Sequence, residues 1–269
     1  MAQNETDTAF VGSIPEQYDR FLGPLFFVPY AQDVAARARA IGPRRILEIA
    51  AGTGIVTRAL ADALPEAHIE ATDLNEAMIA LARARSTAPG VRWSTADAMA
   101  LPFDDARFDL AVCQFGVMFF PDRARAYREA RRVLAPEGTY LLSVWDEIAH
   151  NDVAQIVSQA AATVLPDDPP QFLRRTPHGY ADPAAIEGEL RAAGFTRIAW
   201  ERVPKRSRGI TVREAALGLV EGSPLRNEIA ARGRDRLPEV LEAATRALRE
   251  AFGGDAVDGA MCAYVFTAS

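Results

Sequence analysis

The sequence predicts an α/β fold, a seven-stranded and mostly parallel sheet with helices on both faces and helical additions. Three observations predict it. Residues 44–54 read R-R-I-L-E-I-A-A-G-T-G, an apolar run that carries one acid, enters a glycine turn and leads into an amphipathic helix. From there to residue 146, short apolar runs alternate with helical patterns, which argues for a parallel sheet covered on both sides. The chain has 269 residues, 49% hydrophobic and 25% charged, enough for one large α/β domain with additions.

Residues 1–9 are polar, and 1–12 read as a mobile tail. Residues 15–41 have a helical pattern, interrupted at Gly23-Pro24 and Pro29 and stopped by Gly42-Pro43. The elements that follow are strand 44–50, helix 54–64, strand 67–73, helix 75–88, strands 91–96 and 108–114, helix 122–134 and strand 139–146. Asn75 is positioned as an N-cap, and Pro136-Glu137-Gly138 as a tight turn into the fifth strand. Beyond Asp146 a helix is predicted over 151–164 and a proline-rich loop over 165–177. Asp182-Pro183 opens a helix that Gly194 closes, and a strand follows over 195–203. Thr211 to Glu214 spell a capping box, Ser223-Pro224 opens another helix, 238–252 is amphipathic, and 260–267 is the last strand. This divides the chain into an N-terminal helical segment (1–43), a sheet domain (44–203 with 260–269) and a helical cap inserted between the last two strands (204–259).

Composition narrows the function. A formal net charge of −6 argues against binding nucleic acid by bulk electrostatics. The two cysteines, Cys113 and Cys262, sit in apolar strand-like runs and read as buried thiols. No cluster has metal-ligand spacing, so no metal is expected. No signal peptide is evident, and no stretch approaches the ~20 apolar residues of a membrane span. The expectation is a cytoplasmic monomer or homodimer acting on a small molecule.

Spacing in the glycine turn separates the ligands. A dinucleotide fingerprint wants G-x-G-x-x-G with a pyrophosphate at the helix N-terminus. Here Ile55, Val56 and Thr57 follow Gly54, so the third glycine is missing, and Glu48 precedes the turn. A carboxylate there suits a cationic amino group better than phosphates. Asp73 ends the second strand, where an acid either accepts hydrogen bonds from both hydroxyls of a ribose or simply charges a helix N-terminus. Asp97 follows the third strand.

This pattern resembles motif I of the class I S-adenosylmethionine (SAM) dependent methyltransferases, whose fold is Rossmann-like. The matches run in order from Glu48 to about Asp146, including L-P-F-D-D-A-R-F-D over 101–109, and are similar to the ubiquinone/menaquinone-biosynthesis type and its small-molecule relatives. The resemblance implies that the loop backbone at Ala50, Gly52 and Gly54 receives the methionine part of SAM. It implies that Asp73 binds the ribose, that Leu74 and Met78 pack beside adenine, and that Asp97, Ala98 and Met99 meet the adenine edge. It offers Gln114 and Phe115 as the residues that pass beside the sulfonium. An N-terminal helix closes over the cofactor in relatives, which offers Tyr18; its aromatics serve equally as helix packing.

Ligands of open parallel sheets bind beyond the carboxyl ends of the strands. Residues 115–120 and 145–150 therefore face the substrate, and 204–259 reads as a cap. Methyl transfer from a sulfonium is an in-line displacement that needs alignment and dryness more than covalent help. If a base is used, His150 after strand five is the better candidate; His178 lies in the next loop system, and His68 precedes strand two. The reading is a methyltransferase of a small apolar or aromatic metabolite. Its rivals are a SAM-binding protein of the same fold with a non-methylation reaction such as a cyclisation, a nucleotide-dependent oxidoreductase, and a non-catalytic SAM-binding subunit. The absent third glycine and Asp97 argue against the oxidoreductase.

Overall fold

The most apolar runs of the sequence become the central strands, covered on both faces. The computed structural model describes residues 5–8, 12, 14–86 and 88–269. Its strands are β1 (Arg45–Ile49), β2 (His68–Asp73), β3 (Val91–Thr95), β4 (Phe108–Gln114), β5 (Leu134–Trp145), β6 (Ile198–Thr211) and β7 (Ala256–Ala268). They pair in the order β3-β2-β1-β4-β5-β7-β6. β1 lies parallel to β2 and β4, β2 to β3, and β4 to β5.

The chain divides into two compact units. A sheet unit comprises 30–144, 182–203 and 263–269, and a helical unit comprises 1–29, 145–181 and 204–262. In the sheet unit, Ile46, Ile69, Leu110, Val112 and Leu141 share a core with Val34 and Ala38 of helix Val28–Ile41 and with Val56 and Leu60 of helix Ile55–Ala63. Asn75 caps helix Glu76–Arg85, its side chain accepting from the N–H groups of Ala77 and Met78. Asp182 caps helix Pro183–Ala192 in the same way.

The helical unit rests on helices Asp152–Val164, Val212–Glu221 and Arg236–Phe252, which bury Val153, Val157, Leu219, Val240 and Leu248. The capping box is formed, with Thr211 and Glu214 bonding reciprocally. Gly218 lets helix Val212–Glu221 approach the N-terminal segment closely: a Cβ there would stand 2.7 Å from Leu22 Cδ2 and 2.9 Å from Phe21 Cβ.

Four sequence expectations need correction. The glycine and prolines of the N-terminal region do not interrupt the helix. Tyr18–Phe27 is a π-helical stretch containing Pro24, and the Val28 N–H bonds to the Gly23 carbonyl. The wider turn shifts the hydrogen-bond ladder around a residue that has no N–H to offer. The polar N-terminus is not wholly a tail, because Glu5–Thr8 forms a 3-10 turn and Asp7 is buried. Its carboxylate accepts from Arg175 at 2.6 and 3.1 Å and from Thr176 Oγ1 at 2.6 Å, and Arg175 also bonds Glu228 at 2.6 Å. β5 begins at Leu134, ahead of Pro136-Glu137-Gly138; Phe108 pairs Leu134 and Leu110 pairs Thr139, so those three residues bulge from a strand already begun.

Finally, residues 204–211 and 256–259 are strand, not cap. β6 is an edge strand, where Pro204 costs no ladder bond and charged side chains stay in water. Arg206 and Arg208 both bond Asp258 of β7. The β6–β7 pair is antiparallel, with Arg197 and Ser269 exchanging backbone bonds at one end and the Val212 N–H reaching the Asp255 carbonyl at the other. The helical insertion therefore leaves and returns at one end of that pair.

Candidate active site

A parallel sheet brings the carboxyl ends of β1, β2, β3 and β4 to one edge, and the sequence places an acid or a turn at each. After β1 the chain turns through Ala50 and Gly52, at φ 58° and 57°. Glycine adopts such angles at little cost; alanine does so under strain. The Ala51 N–H holds the turn to the Thr72 carbonyl at 2.9 Å. A Cβ on Gly52 would meet no atom within 4 Å, so this glycine faces open space. Gly54, at φ 77°, serves packing instead. A Cβ there would stand 2.5 Å from the Trp93 ring, so Gly54 admits Trp93 against the loop.

Glu48 lies beneath this turn, buried, and its Oε2 accepts a 2.5 Å hydrogen bond from Thr57 Oγ1 on the helix that follows. Burial, reinforced by the neighbouring charge of Asp73, pushes its pKa up to about 8, against the pull of the Thr57 hydroxyl and of Arg58. Asp73 is half-buried and braces the turn: Oδ2 accepts from the Gly52 N–H and Oδ1 from the Asn75 N–H, each at 2.8 Å. Burial raises its pKa, and these backbone donors oppose the shift. Leu74 is 68% exposed beside it, whereas Met78 is buried.

Asp97 Oδ1 accepts from the Met99 N–H at 2.8 Å, with Ala98 buried between them. Gln114 ends β4 opposite Ser143 of β5. Phe115 follows at φ 55°, its N–H bonded to the Ser143 carbonyl at 3.0 Å and its ring edge-on to Tyr30 at 5.2 Å. Next to it Gly116 leaves room for the strained turn, since a Cβ there would stand 2.6 Å from Ala50 Cβ. The sheet thus gathers Glu48, Ala50, Gly52, Asp73, Leu74, Asp97, Ala98, Met99, Gln114 and Phe115 at its carboxyl edge. Two further groups there were not picked from sequence: the hydroxyls of Thr53 and Ser143 are buried without a hydrogen-bond partner. Nothing in a lone Thr or Ser within an apolar run signals that state.

Tyr18 and His150 belong to the helical unit. The Tyr18 ring stacks on Phe27 at 4.7 Å. His150 Nδ1 stands 3.1 Å from Asp146 Oδ2, the imidazole half-exposed and the carboxylate buried. The sequence already held this pair, four residues apart. Burial pushes the Cys113 thiol up to about 12, a packing group and not a nucleophile. Among the described residues no group of three or more His, Cys, Asp or Glu side chains could hold a metal. No helix among them is long and apolar enough to cross a membrane.

The family model described as "Methyltransferase domain" matches residues 46–138. The ubiquinone/menaquinone biosynthesis C-methyltransferase of Methylobacterium nodulans is 33% identical over 180 residues, 61% of this chain and 70% of that protein. The demethylmenaquinone methyltransferase of Thermus thermophilus is 30% identical over 184 residues, 62% of this chain and 84% of its own. Among solved structures, the 4+2 cyclase SpnF is 25% identical with a TM-score of 0.58, covering 90% of this chain and 80% of that one.

Proposed function

Because the chain belongs to the class I SAM-dependent methyltransferases of the ubiquinone/menaquinone-biosynthesis type, we propose that it moves the SAM methyl group by in-line displacement onto a small aromatic acceptor related to a quinol. The observation that carries the reading is the carboxyl edge of the sheet, where Glu48, Asp73 and Asp97 stand at or just beyond the ends of adjacent parallel strands around an open glycine turn. The unpartnered hydroxyls of Thr53 and Ser143 support a polar ligand.

When bound, SAM supplies a methyl group already activated on a sulfonium. The chain has to hold, align and keep water away. The backbone of Ala50, Gly52 and Gly54 would receive the methionine part, with the Glu48 carboxyl beneath the turn giving up its proton as an ammonium arrives. Asp73 would accept from the ribose hydroxyls with the lone pairs its two backbone donors leave over. Asp97, Ala98 and Met99 would meet the adenine edge, Leu74 and Met78 its face, and Gln114 and Phe115 the reacting end. Tyr18 would lie on the cofactor side of the N-terminal segment, and residues 204–259 would take part in choosing the acceptor. His150, beside the buried carboxylate of Asp146, would be the candidate to take up a proton.

Calorimetry tests this directly. SAM should bind in the micromolar range, about −8 kcal/mol. Asp73→Ala should weaken it by about 1–3 kcal/mol through lost charge-assisted hydrogen bonds. NADH bound with SAM ignored would refute the assignment. The likeness to a cyclase favours one second reading, SAM held but not consumed. Release of S-adenosylhomocysteine in the presence of a demethylmenaquinol-type acceptor separates the two.

A further inference from the structure

Asp146 anchors two imidazoles, and it anchors them differently. His150 Nδ1 lies 3.1 Å from its carboxylate. His178 bonds its backbone carbonyl, Nδ1 to oxygen at 2.8 Å. A carbonyl oxygen only accepts, so Nδ1 carries the ring hydrogen of His178. In the neutral ring Nε2 is then a lone pair of fixed direction. It makes no hydrogen bond to the described residues, and the side chain is only part-buried.

The ring of His178 lies against Trp145, 6.0 Å between centroids. Trp145 in turn meets Phe26 edge-on at 5.8 Å and Phe27 at 6.4 Å, and Phe27 stacks on Tyr18. This is a row of aromatic faces ending in one polar atom. Burial pushes the His178 imidazole down to about 4, with Arg174 adding to the shift and Asp146 opposing it. At neutral pH the ring is therefore uncharged and a poor proton carrier, because an effective general base has a pKa near the working pH.

We propose that His178 is a specificity-determining residue, its Nε2 accepting a hydrogen bond from a hydroxyl or N–H on a planar aromatic substrate whose ring packs beside Trp145. This rests on the methyltransferase reading above and assigns the acceptor its chemistry: an aromatic ring bearing a donor, with no cation. Two probes that differ by that donor alone decide it. The full-length protein should bind 1-naphthol about tenfold more tightly than 1-methoxynaphthalene, the ratio one neutral hydrogen bond supplies. His178→Phe keeps a ring beside Trp145 and should lose the preference, while His178→Gln, whose amide oxygen reaches toward the place of Nε2, should keep part of it. Imidazole nitrogen NMR should show His178 protonated on Nδ1 and not titrating between pH 8 and about 5. A His178→Phe protein that keeps the preference, a wild type that shows none, or a ring protonated on Nε2 overturns the proposal. SAM affinity measured on the same samples keeps the two readings apart. A wild type that binds SAM without discriminating the naphthols defeats only the role of His178. One that discriminates them and ignores SAM defeats only the methyltransferase assignment.

Discussion

Replacing Glu48 with glutamine should change how stability depends on pH. Burial raises the Glu48 carboxyl to about 8 from an ordinary 4.5. A carboxyl with a higher pKa in the folded chain binds its proton more tightly there than when unfolded. Its contribution to stability is therefore full below pH 4.5 and is lost as pH rises through about 8. At about 1.4 kcal/mol per unit, the ligand-free protein should lose about 2–3 kcal/mol from this group between pH 5 and pH 7. Glu48→Gln keeps an oxygen for the Thr57 hydroxyl and has nothing to titrate. The assay is thermal unfolding of both proteins, without ligand, from pH 5 to pH 9. An offset common to all pH values reports the altered hydrogen bond; only its change with pH reports the proton. The variant should gain on the wild type by about 5–10 °C in Tm between pH 5 and pH 7, at a few degrees per kcal/mol for a chain of this size. Curves that stay parallel would refute the argument, because Glu48 would then be ionised in the folded protein despite its burial.

Gly52→Val should abolish SAM binding while circular dichroism still shows a folded sheet: the position costs about 1–2 kcal/mol at φ 57°, yet its Cβ points into open space where a ligand would lie. Retained SAM affinity by calorimetry would show that the turn does not approach the ligand. Arg175→Met should destabilise the protein by about 3–5 kcal/mol, because it leaves Asp7 and Glu228 buried without their shared cation. Chemical denaturation reads that loss, and a change below about 1 kcal/mol would mean that the network is solvated.

The strands most legible in the sequence are those buried on both faces. β1, with Ile46, Leu47 and Ile49 all covered, needs no partner to be recognised. The outer half of β6 was illegible for the opposite reason. Pro204, Lys205, Arg206, Arg208 and Gly209 look like a loop, and their strand exists only because β7 pairs with it and Asp258 gathers the arginines. Asp7 belongs to the same class of miss. In a polar N-terminus it looks solvated, and its meaning lies in Arg175, far away along the chain. In the candidate site, Glu48, Gly52, Asp73 and Asp97 could be named early because each lies at or just beyond the end of a strand, a place that sequence pattern marks. The partner of Glu48, Thr57, could not be picked out, because helix geometry decides which way that hydroxyl turns. Asp146 shows the limit sharply: its spacing to His150 is local, but its hold on His178 is not.

Backbone strain collects at one edge of the sheet. Ala50 and Phe115, two of the three non-glycine residues with positive φ among those described, come directly after β1 and β4, which are neighbours in the sheet. Left-handed backbone in a residue with a side chain costs of order 1–2 kcal/mol, and it persists only where surrounding contacts fix it. Here those contacts can be named. The loop after β1 is tied by the Ala51 N–H to Thr72 and by the Gly52 N–H to Asp73. Phe115 is tied by its N–H to Ser143 and by its ring to Tyr30. Gly116 then removes the one atom that would collide with the Ala50 methyl. Neighbouring strands and a helix are recruited to hold two turns that neither residue favours. Packing alone would be served by glycine at both positions, so the arrangement makes best sense if the turns must present backbone groups in one fixed direction. A methyltransferase that contributes alignment and little covalent chemistry has that requirement.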